Sequence, residues 1–226
     1  VLGTVHVLEA ARDAEVSRVV TVSTSECYGT AQFIPVNEQH PLQAQSPYSA
    51  SKIGADKVVE SYHRAFELPA VIVRPFNTYG PRQSARAVVP TIISQALSDM
   101  PSIQLGLLTP VRDLTYVTDT VSGLIAAARA ENVEGETINL GVGKGISIEE
   151  LARRILTLVG SEKEILSEEL RIRPKKSEVH QLVCDNTKAR NLLYWEPMVS
   201  LNEGLRRTIE FVQAYPDFYK PGKFIL

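Results

Sequence analysis

Two rhythms of apolar and polar positions run along this chain: stretches with the 3.6-residue period of an amphipathic helix, and short apolar runs of strand length. Val1 to Arg12 reads as an amphipathic helix, and Arg18 to Ser23 (Arg-Val-Val-Thr-Val-Ser) is a β-branched run typical of a buried parallel strand. Residues 30 to 46 are polar and turn-forming, with Pro35, Asn37 and Pro41, after which Ser46 suits an N-cap and Pro47 the first helical position. That helix is predicted to reach about Phe66. Pro69 to Arg74 is the next strand, and Pro75 to Arg82 is the loop leaving its carboxyl end. The pattern then predicts a helix over Val88–Ser98, a strand over Ile103–Leu105, a helix over Thr118–Ala130 and a strand over Thr137–Leu140. Ser147 caps a helix to Val159 with Glu150 as its capping-box partner, and Leu201 to Tyr215 is a last amphipathic helix. Alternating helices and strands predict an α/β fold with a parallel sheet. Elements from Ile103 onward are shorter and more mixed, which predicts a smaller lobe packed on the sheet domain.

Composition narrows the function. With 226 residues, 44% of them hydrophobic, and a formal net charge of -2, the chain can bury a real core but offers no basic groove for nucleic acid. A small-molecule partner is expected. Cys27 and Cys184 stand at no redox or metal-ligand spacing, which fits a reducing compartment without disulfides. No apolar run reaches membrane-spanning length and nothing at the start resembles a signal peptide, so a cytoplasmic location is expected, with no membrane partner. His6, His40, His63 and His180 share no ligand spacing, so no metal is expected.

The chemistry-bearing residues gather at the carboxyl ends of the first two strands, the edge where open α/β sheets bind ligands. Tyr48 and Lys52 stand four residues apart, which on a helix puts phenol and ammonium on one face. A nearby cation favours a phenolate, and this pair reads as a hydride-transfer site. Small neighbours (Ser49, Ala50, Ser51, Gly54, Ala55) would let a planar ligand approach closely. Thr24, Ser25 and Glu26 leave the first strand, bringing two hydroxyls and a carboxylate to the same edge, and Asn77 lies in the loop after the second. Gly141-Val142-Gly143-Lys144-Gly145 lacks the spacing of a dinucleotide loop and reads as a turn that positions the smaller lobe.

Val22-Ser23-Thr24-Ser25-Glu26-Cys27-Tyr28-Gly29, Tyr48-Ser49-Ala50-Ser51-Lys52, Arg74-Pro75-Phe76-Asn77-Thr78-Tyr79-Gly80-Pro81-Arg82, Arg112-Asp113 and Trp195-Glu196-Pro197 follow one another as in a known family. In these segments the chain resembles the extended short-chain dehydrogenase/reductase superfamily, in its NAD-dependent epimerase/dehydratase branch. Thr24-Ser25-Glu26 looks like the GDP-mannose type of sugar 4,6-dehydratase. The stretch from Ser46 to Arg86 is most similar to N-acetylglucosamine 4,6-dehydratases of the legionaminic-acid pathway. The resemblance implies a Rossmann-type doubly wound sheet, with residues 1–100 as the carboxyl-terminal part of the NAD-binding domain and 101–226 mainly a nucleotide-sugar lobe from which some chain returns to the sheet. Family members begin with three further strands and a glycine-rich pyrophosphate loop. The chain starts at Val1 and its first methionine is Met100, so an N-terminal truncation of about a hundred residues is expected, leaving the first strand with an open edge, weak NAD binding and a tendency to aggregate.

The resemblance also implies roles. NAD would contact Val22, Ser23, Tyr48, Lys52, Pro75 and Phe76, and the nucleotide sugar Thr24, Asn77, Arg82, Arg86, Arg112, Arg173 and Glu178. Tyr48 would take the 4-hydroxyl proton as hydride leaves C4, Thr24 would hydrogen-bond that oxygen, and Glu26 would remove the C5 proton while the C6 hydroxyl departs. Ser25 stands where dTDP-glucose dehydratases carry an aspartate, so that either Glu26 makes both proton transfers or dehydration is slow. UDP-glucuronate decarboxylases share Thr-Ser-Glu and are the nearest rival, a 4-epimerase needs no carboxylate at position 26, and a non-catalytic nucleotide-binding subunit or inactive fragment is the alternative of another class. Homodimers through helices 1–12 and 47–66 are the family expectation.

Overall fold

The computed structural model describes residues 1–171 and 178–219. Helix α1 (Leu2–Asp13) leads to strand β1 (Val19–Val22), and a 3-10 turn over Ser25–Tyr28 leaves that strand's carboxyl end. Helix α2 (Pro47–Phe66) begins as its residues predict: the Ser46 hydroxyl accepts the Ser49 N–H at 3.1 Å, and the Ser49 hydroxyl accepts the Ser46 N–H at 3.0 Å. The two orphan donors are thus satisfied reciprocally, with Pro47 placed where no N–H is needed.

Strand β2 (Ala70–Pro75) is the centre of a parallel sheet ordered β1-β2-β6, where β6 is Thr137–Leu140. Its register pairs Val19 with Ala70 on one side and Ile72 with Thr137 on the other. Side chains alternate across a strand, so Ala70 and Ile72 pack with Leu8 of α1 and Val59 of α2, while Val71 and Val73 pack on the opposite face. That second face is covered by helices α4 (Val117–Arg129) and α6 (Thr187–Leu193), with Ala127, Ala189, Leu193 and Trp195 in one apolar cluster. A Cβ on Gly123 would fall 2.5 Å from Leu140 Cδ1, so only glycine lets α4 lie this close to the sheet. Both faces covered is the arrangement a continuous apolar strand requires. Strand β1 is the edge strand, paired only with β2 among the described strands.

At Pro75 the chain crosses into a second assembly. Strand β3 (Asn77–Tyr79) pairs in parallel with β5 (Val111–Tyr116), which also pairs with β7 (Gly145–Ser147) and β9 (Gln181–Leu182). Strands β4 (Ser102–Leu105) and β8 (Glu164–Ser167) form a separate parallel pair. Helices α3 (Val88–Leu97), α5 (Ile148–Val159) and α7 (Leu201–Ala214) bury Ile92, Ile93, Ile155 and Leu205 around Tyr79 and Ile103. Helix α5 has the predicted Ser147–Glu150 capping box and closes on Gly160 in the left-handed region.

Pro75 to Arg82, expected to be a loop, contains β3, because Asn77–Tyr79 finds a parallel partner in a segment distant in sequence: the register is Asn77 with Leu114 and Tyr79 with Tyr116. Strands β5, β7, β8 and β9 and helix α6 were not predicted by periodicity. In β5 the charged pair Arg112-Asp113 interrupts the apolar pattern, and only burial of Asp113 explains it. Among the described residues, no helix is long and apolar enough to cross a membrane.

Candidate active site

Strands β1 and β2 run parallel and deliver their carboxyl ends to one edge, where α2 starts. Lys52 reaches from the second turn of α2 and donates its ammonium to the Val22 carbonyl at 2.6 Å, which ties the helix to the end of β1. Tyr48 stands one turn earlier on the same face and is 54% exposed. Thr24 caps the 3-10 turn in an extended conformation, its hydroxyl oxygen accepting the Glu26 N–H at 3.2 Å. Glu26 is half-buried, whereas Ser25 is buried.

A cavity of about 430 Å³ is lined by Glu26, Ser46, Tyr48, Asn77 and Arg112, with Leu182 on its apolar side. Glu26, Asn77 and Arg112 also line a larger cavity of about 570 Å³, so the two adjoin. The larger one adds Thr78, Gln83, Arg86, Gln104, Arg171 and Glu178. Its charged lining is three guanidiniums (Arg86, Arg112, Arg171) against two carboxylates (Glu26, Glu178), a balance that suits a diphosphate. Arg112 is held by Glu178 at 3.1 Å and by its bond to the Val111 carbonyl at 3.0 Å, which sets the plane of its fork. Among the described residues Asn77 Oδ1 is buried without a hydrogen-bond partner, the condition of a group that awaits a ligand or water.

Not every expected residue borders these cavities. Thr24 and Ser25 border neither, and Ser23 is buried with its hydroxyl donated to Asp56 at 2.9 Å, so its side chain is already engaged. Pro75 ends β2, and the Phe76 ring packs in the core beside Tyr28, Val36 and Leu182, so only backbone there can face a ligand. Arg82 lies in a different cleft of about 520 Å³ with Phe211, Tyr215 and Phe218, because its left-handed backbone (φ 67°) turns the side chain outward; Gln83 lines both that cleft and the larger cavity. Arg173 lies outside the described residues. Gln83, Gln104 and Arg171 were missed by sequence reasoning, since no local signal separates a cavity glutamine from a surface one.

The Gly141–Gly145 turn is closed to phosphate. Its Val142 and Gly143 N–H groups both donate to Asp113, at 2.8 Å each, and the Cys184 N–H adds a third bond at 3.1 Å. Burial pushes the Asp113 carboxyl above the usual carboxylate range against the opposing pull of these three donors. Two of the four histidines are engaged locally: His40 accepts the Gln32 N–H at 2.9 Å and His63 bonds the Leu68 carbonyl at 2.9 Å. Among the described residues, no group of three or more His, Cys, Asp or Glu side chains is placed to hold a metal ion.

A parallel sheet with a tyrosine–lysine helix at its carboxyl edge defines the short-chain dehydrogenase/reductase class. The profile of the family described as GDP-mannose 4,6 dehydratase matches residues 1–208, and the chain belongs to that family. It is 34% identical to a UDP-glucose 4-epimerase of Mycolicibacterium smegmatis over 93% of this chain and 67% of that protein. It is 30% identical to the human dTDP-D-glucose 4,6-dehydratase over 93% of this chain and 61% of the relative. The crystal structure of a Bacillus anthracis dTDP-glucose 4,6-dehydratase in complex with NAD is similar at a TM-score of 0.89 and 30% identity, covering 99% of this chain and 70% of that one. The chain therefore spans between 61% and 70% of these relatives' length.

Proposed function

We propose that this chain carries the reacting groups of a cytoplasmic, NAD-dependent nucleotide-sugar 4,6-dehydratase, a hydro-lyase that converts an NDP-hexose, in first place NDP-N-acetylglucosamine, to its 4-keto-6-deoxy product. The observation that carries this reading is the shared cavity of Glu26 and Tyr48, with Asn77 and Arg112 on the same walls. A dehydratase needs both a phenol for the 4-hydroxyl and a carboxylate for C5, and an epimerase needs only the first.

The donor set fits the cofactor. One ammonium proton of Lys52 goes to Val22, leaving two for ligand hydroxyls beside the half-exposed Tyr48. Backbone at Val22, Ser23, Pro75 and Phe76 would complete the contact. NAD held there would supply the hydride acceptor for C4 and, once reduced, the hydride donor for C6.

Tyr48 Oη takes the 4-hydroxyl proton. Thr24, which borders neither cavity, accepts the Glu26 N–H and so holds the turn that presents Glu26. Once C4 is a ketone the C5 proton is acidic, and Glu26 takes it and passes it to the departing C6 hydroxyl, which leaves as water; hydride addition at C6 then returns electron density to C5, which takes up a proton, in net balance the one Tyr48 removed from the 4-hydroxyl. Ser25, buried and outside both cavities, is withdrawn from the reacting set. Arg112 and Arg86 would hold the diphosphate, with Glu178 orienting Arg112. Two copies would pair through α1 and α2, where Leu2 (68% exposed) and Val7 (60% exposed) present apolar surface; a monomer by light scattering would rule this pairing out.

Incubation of the protein with UDP- and GDP-N-acetylglucosamine, followed by mass analysis, tests the reaction. Loss of one water with a reducible ketone supports it, and Glu26→Gln should lower kcat by about 10²–10⁴-fold. An isomer of unchanged mass would establish the 4-epimerase instead, the reading favoured by the similarity to the M. smegmatis enzyme. Release of carbon dioxide from UDP-glucuronate would establish the decarboxylase, and donor binding without turnover a non-catalytic subunit.

A further inference from the structure

Beneath the two cavities lies a buried ion pair to which the proposed reaction assigns no part. Asp56 is fully buried and stands one turn beyond Lys52, so Tyr48, Lys52 and Asp56 form one stripe along α2. Asp56 Oδ2 accepts from Arg74 Nε at 3.0 Å, from Arg74 Nη2 at 2.8 Å and from Ser23 Oγ at 2.9 Å. Arg74 Nη1 donates to the Tyr28 hydroxyl at 3.1 Å, and that hydroxyl donates to Asn139 Oδ1 at 2.7 Å. Asn139 is in turn fixed to the Val36 carbonyl at 3.2 Å and, through its N–H, to Glu38 Oε1 at 2.8 Å.

The network touches each element that carries a proposed reacting group. Ser23 precedes Thr24 at the end of β1, Tyr28 closes the turn that holds Glu26, Asp56 belongs to the helix of Tyr48 and Lys52, and Arg74 stands three residues before Asn77. Apolar packing alone is non-directional and tolerates small rotations of a helix against a sheet. Hydrogen bonds to a planar guanidinium do not, because they weaken steeply off axis.

We propose that Asp56 and Arg74 are positioning residues whose ion pair, extended by Ser23 and Tyr28, sets the rotation of α2 and of the Ser25–Tyr28 turn so that Tyr48 and Glu26 face the same ligand. The inference rests on Glu26 and Tyr48 being the reacting groups. A purely stabilising role is separable from it, since buried ion pairs are often replaceable by apolar residues of similar volume without loss of stability.

The test is the double variant Asp56→Leu/Arg74→Met in the full protein, read by thermal melting, by hydrogen exchange, and by kcat and KM for the donor. Expected is near-native melting with kcat lowered about 10²-fold, the scale of a misplacement of about 1 Å, and a donor KM within about threefold of native. Amides of residues 47–53 and 25–28 should exchange about tenfold faster while those of α7 keep their native rates. A double variant with native kcat and native exchange overturns the proposal, as does a kcat loss that merely follows a loss of melting temperature and of protection everywhere. Should the double variant not fold, Tyr28→Phe keeps the Asp56–Arg74 pair and removes the hydroxyl that accepts from Arg74 Nη1 and donates to Asn139. It should lower kcat about tenfold at unchanged KM and speed exchange in the 25–28 turn, and native behaviour on both counts overturns the proposal. Should the native protein turn over no donor, the proposed reaction falls and the exchange rates alone decide the positioning role.

Discussion

Gly141 offers a direct measure of how tightly the glycine turn is clamped. An alanine Cβ there would lie 2.3 Å from Cys184 Cβ, 2.8 Å from Cys184 Sγ and 3.1 Å from Asp113 Oδ2. Cys184 has little room to yield: it is 2% exposed, its N–H is bonded to Asp113, and the next N–H, of Asp185, is bonded to the Val36 carbonyl at 2.9 Å. Overpacking of a rigid site costs about 1–3 kcal/mol, and the backbone anchors on both sides put Gly141→Ala near 3, by the same rough scale of about 3 kcal/mol. Cys184→Gly deletes both clashing atoms, at a cost of about 2 kcal/mol for the lost buried group and the added backbone freedom. Independent effects would sum to about 5 kcal/mol in the double variant, but the clash is absent there, so a total of about 2–3 kcal/mol is expected, a coupling of about 2 kcal/mol. Urea unfolding at unchanged m-value provides the three differences. Additivity within about 0.5 kcal/mol would refute the reasoning, because it would mean that the contact relaxes elsewhere. Arg112 is the neighbour of Asp113, so nucleoside diphosphate binding should weaken in Gly141→Ala and recover in the double variant.

Burial pushes the Tyr28 phenol from its ordinary value of 10 up to about 12. Above pH 10 the unfolded chain releases a proton that the folded chain keeps, so stability contributed below that pH is lost as pH rises toward 12, by about 3 kcal/mol at most. Tyr28→Phe should remove this alkaline slope, and identical slopes of native and variant protein in urea titrations at pH 9 to about 11 would contradict it. Arg112→Lys keeps the charge but loses the planar fork held by Glu178, so the Kd for UDP by calorimetry should rise about tenfold, with unchanged affinity counting against a diphosphate role.

Much of the sheet domain was legible because its signals are local. Ser46 and Pro47 announce the start of α2 within four residues, Ser147 and Glu150 that of α5, and the apolar run from Ala70 to Val73 marks a strand buried on both faces. The spacing of Tyr48 and Lys52 placed them on one helical face before any tertiary contact was known. The second assembly was less legible, because its strands are short and charged. Arg112-Asp113 breaks the apolar pattern of β5, and the structure shows why: Asp113 takes three backbone N–H groups in the interior while its neighbour Arg112 lines the cavities. Arg82 and Gln83 could not be told apart either, since a single left-handed residue decides which of them meets the larger cavity.

The sequence by itself determined the α/β class, the starts of α2 and α5, the Tyr48–Lys52 stripe on α2 and the strand-end position of Glu26, all of which follow from periodicity and capping within a few residues. Only the tertiary structure decided that Glu26 and Tyr48 share one cavity with Arg112, that Ser25 is withdrawn from it, and that Asp56 and Arg74 join beneath it. Those facts depend on residues up to 86 positions apart, as Glu26 and Arg112 are, being brought together by strand pairing and burial, which no local pattern encodes.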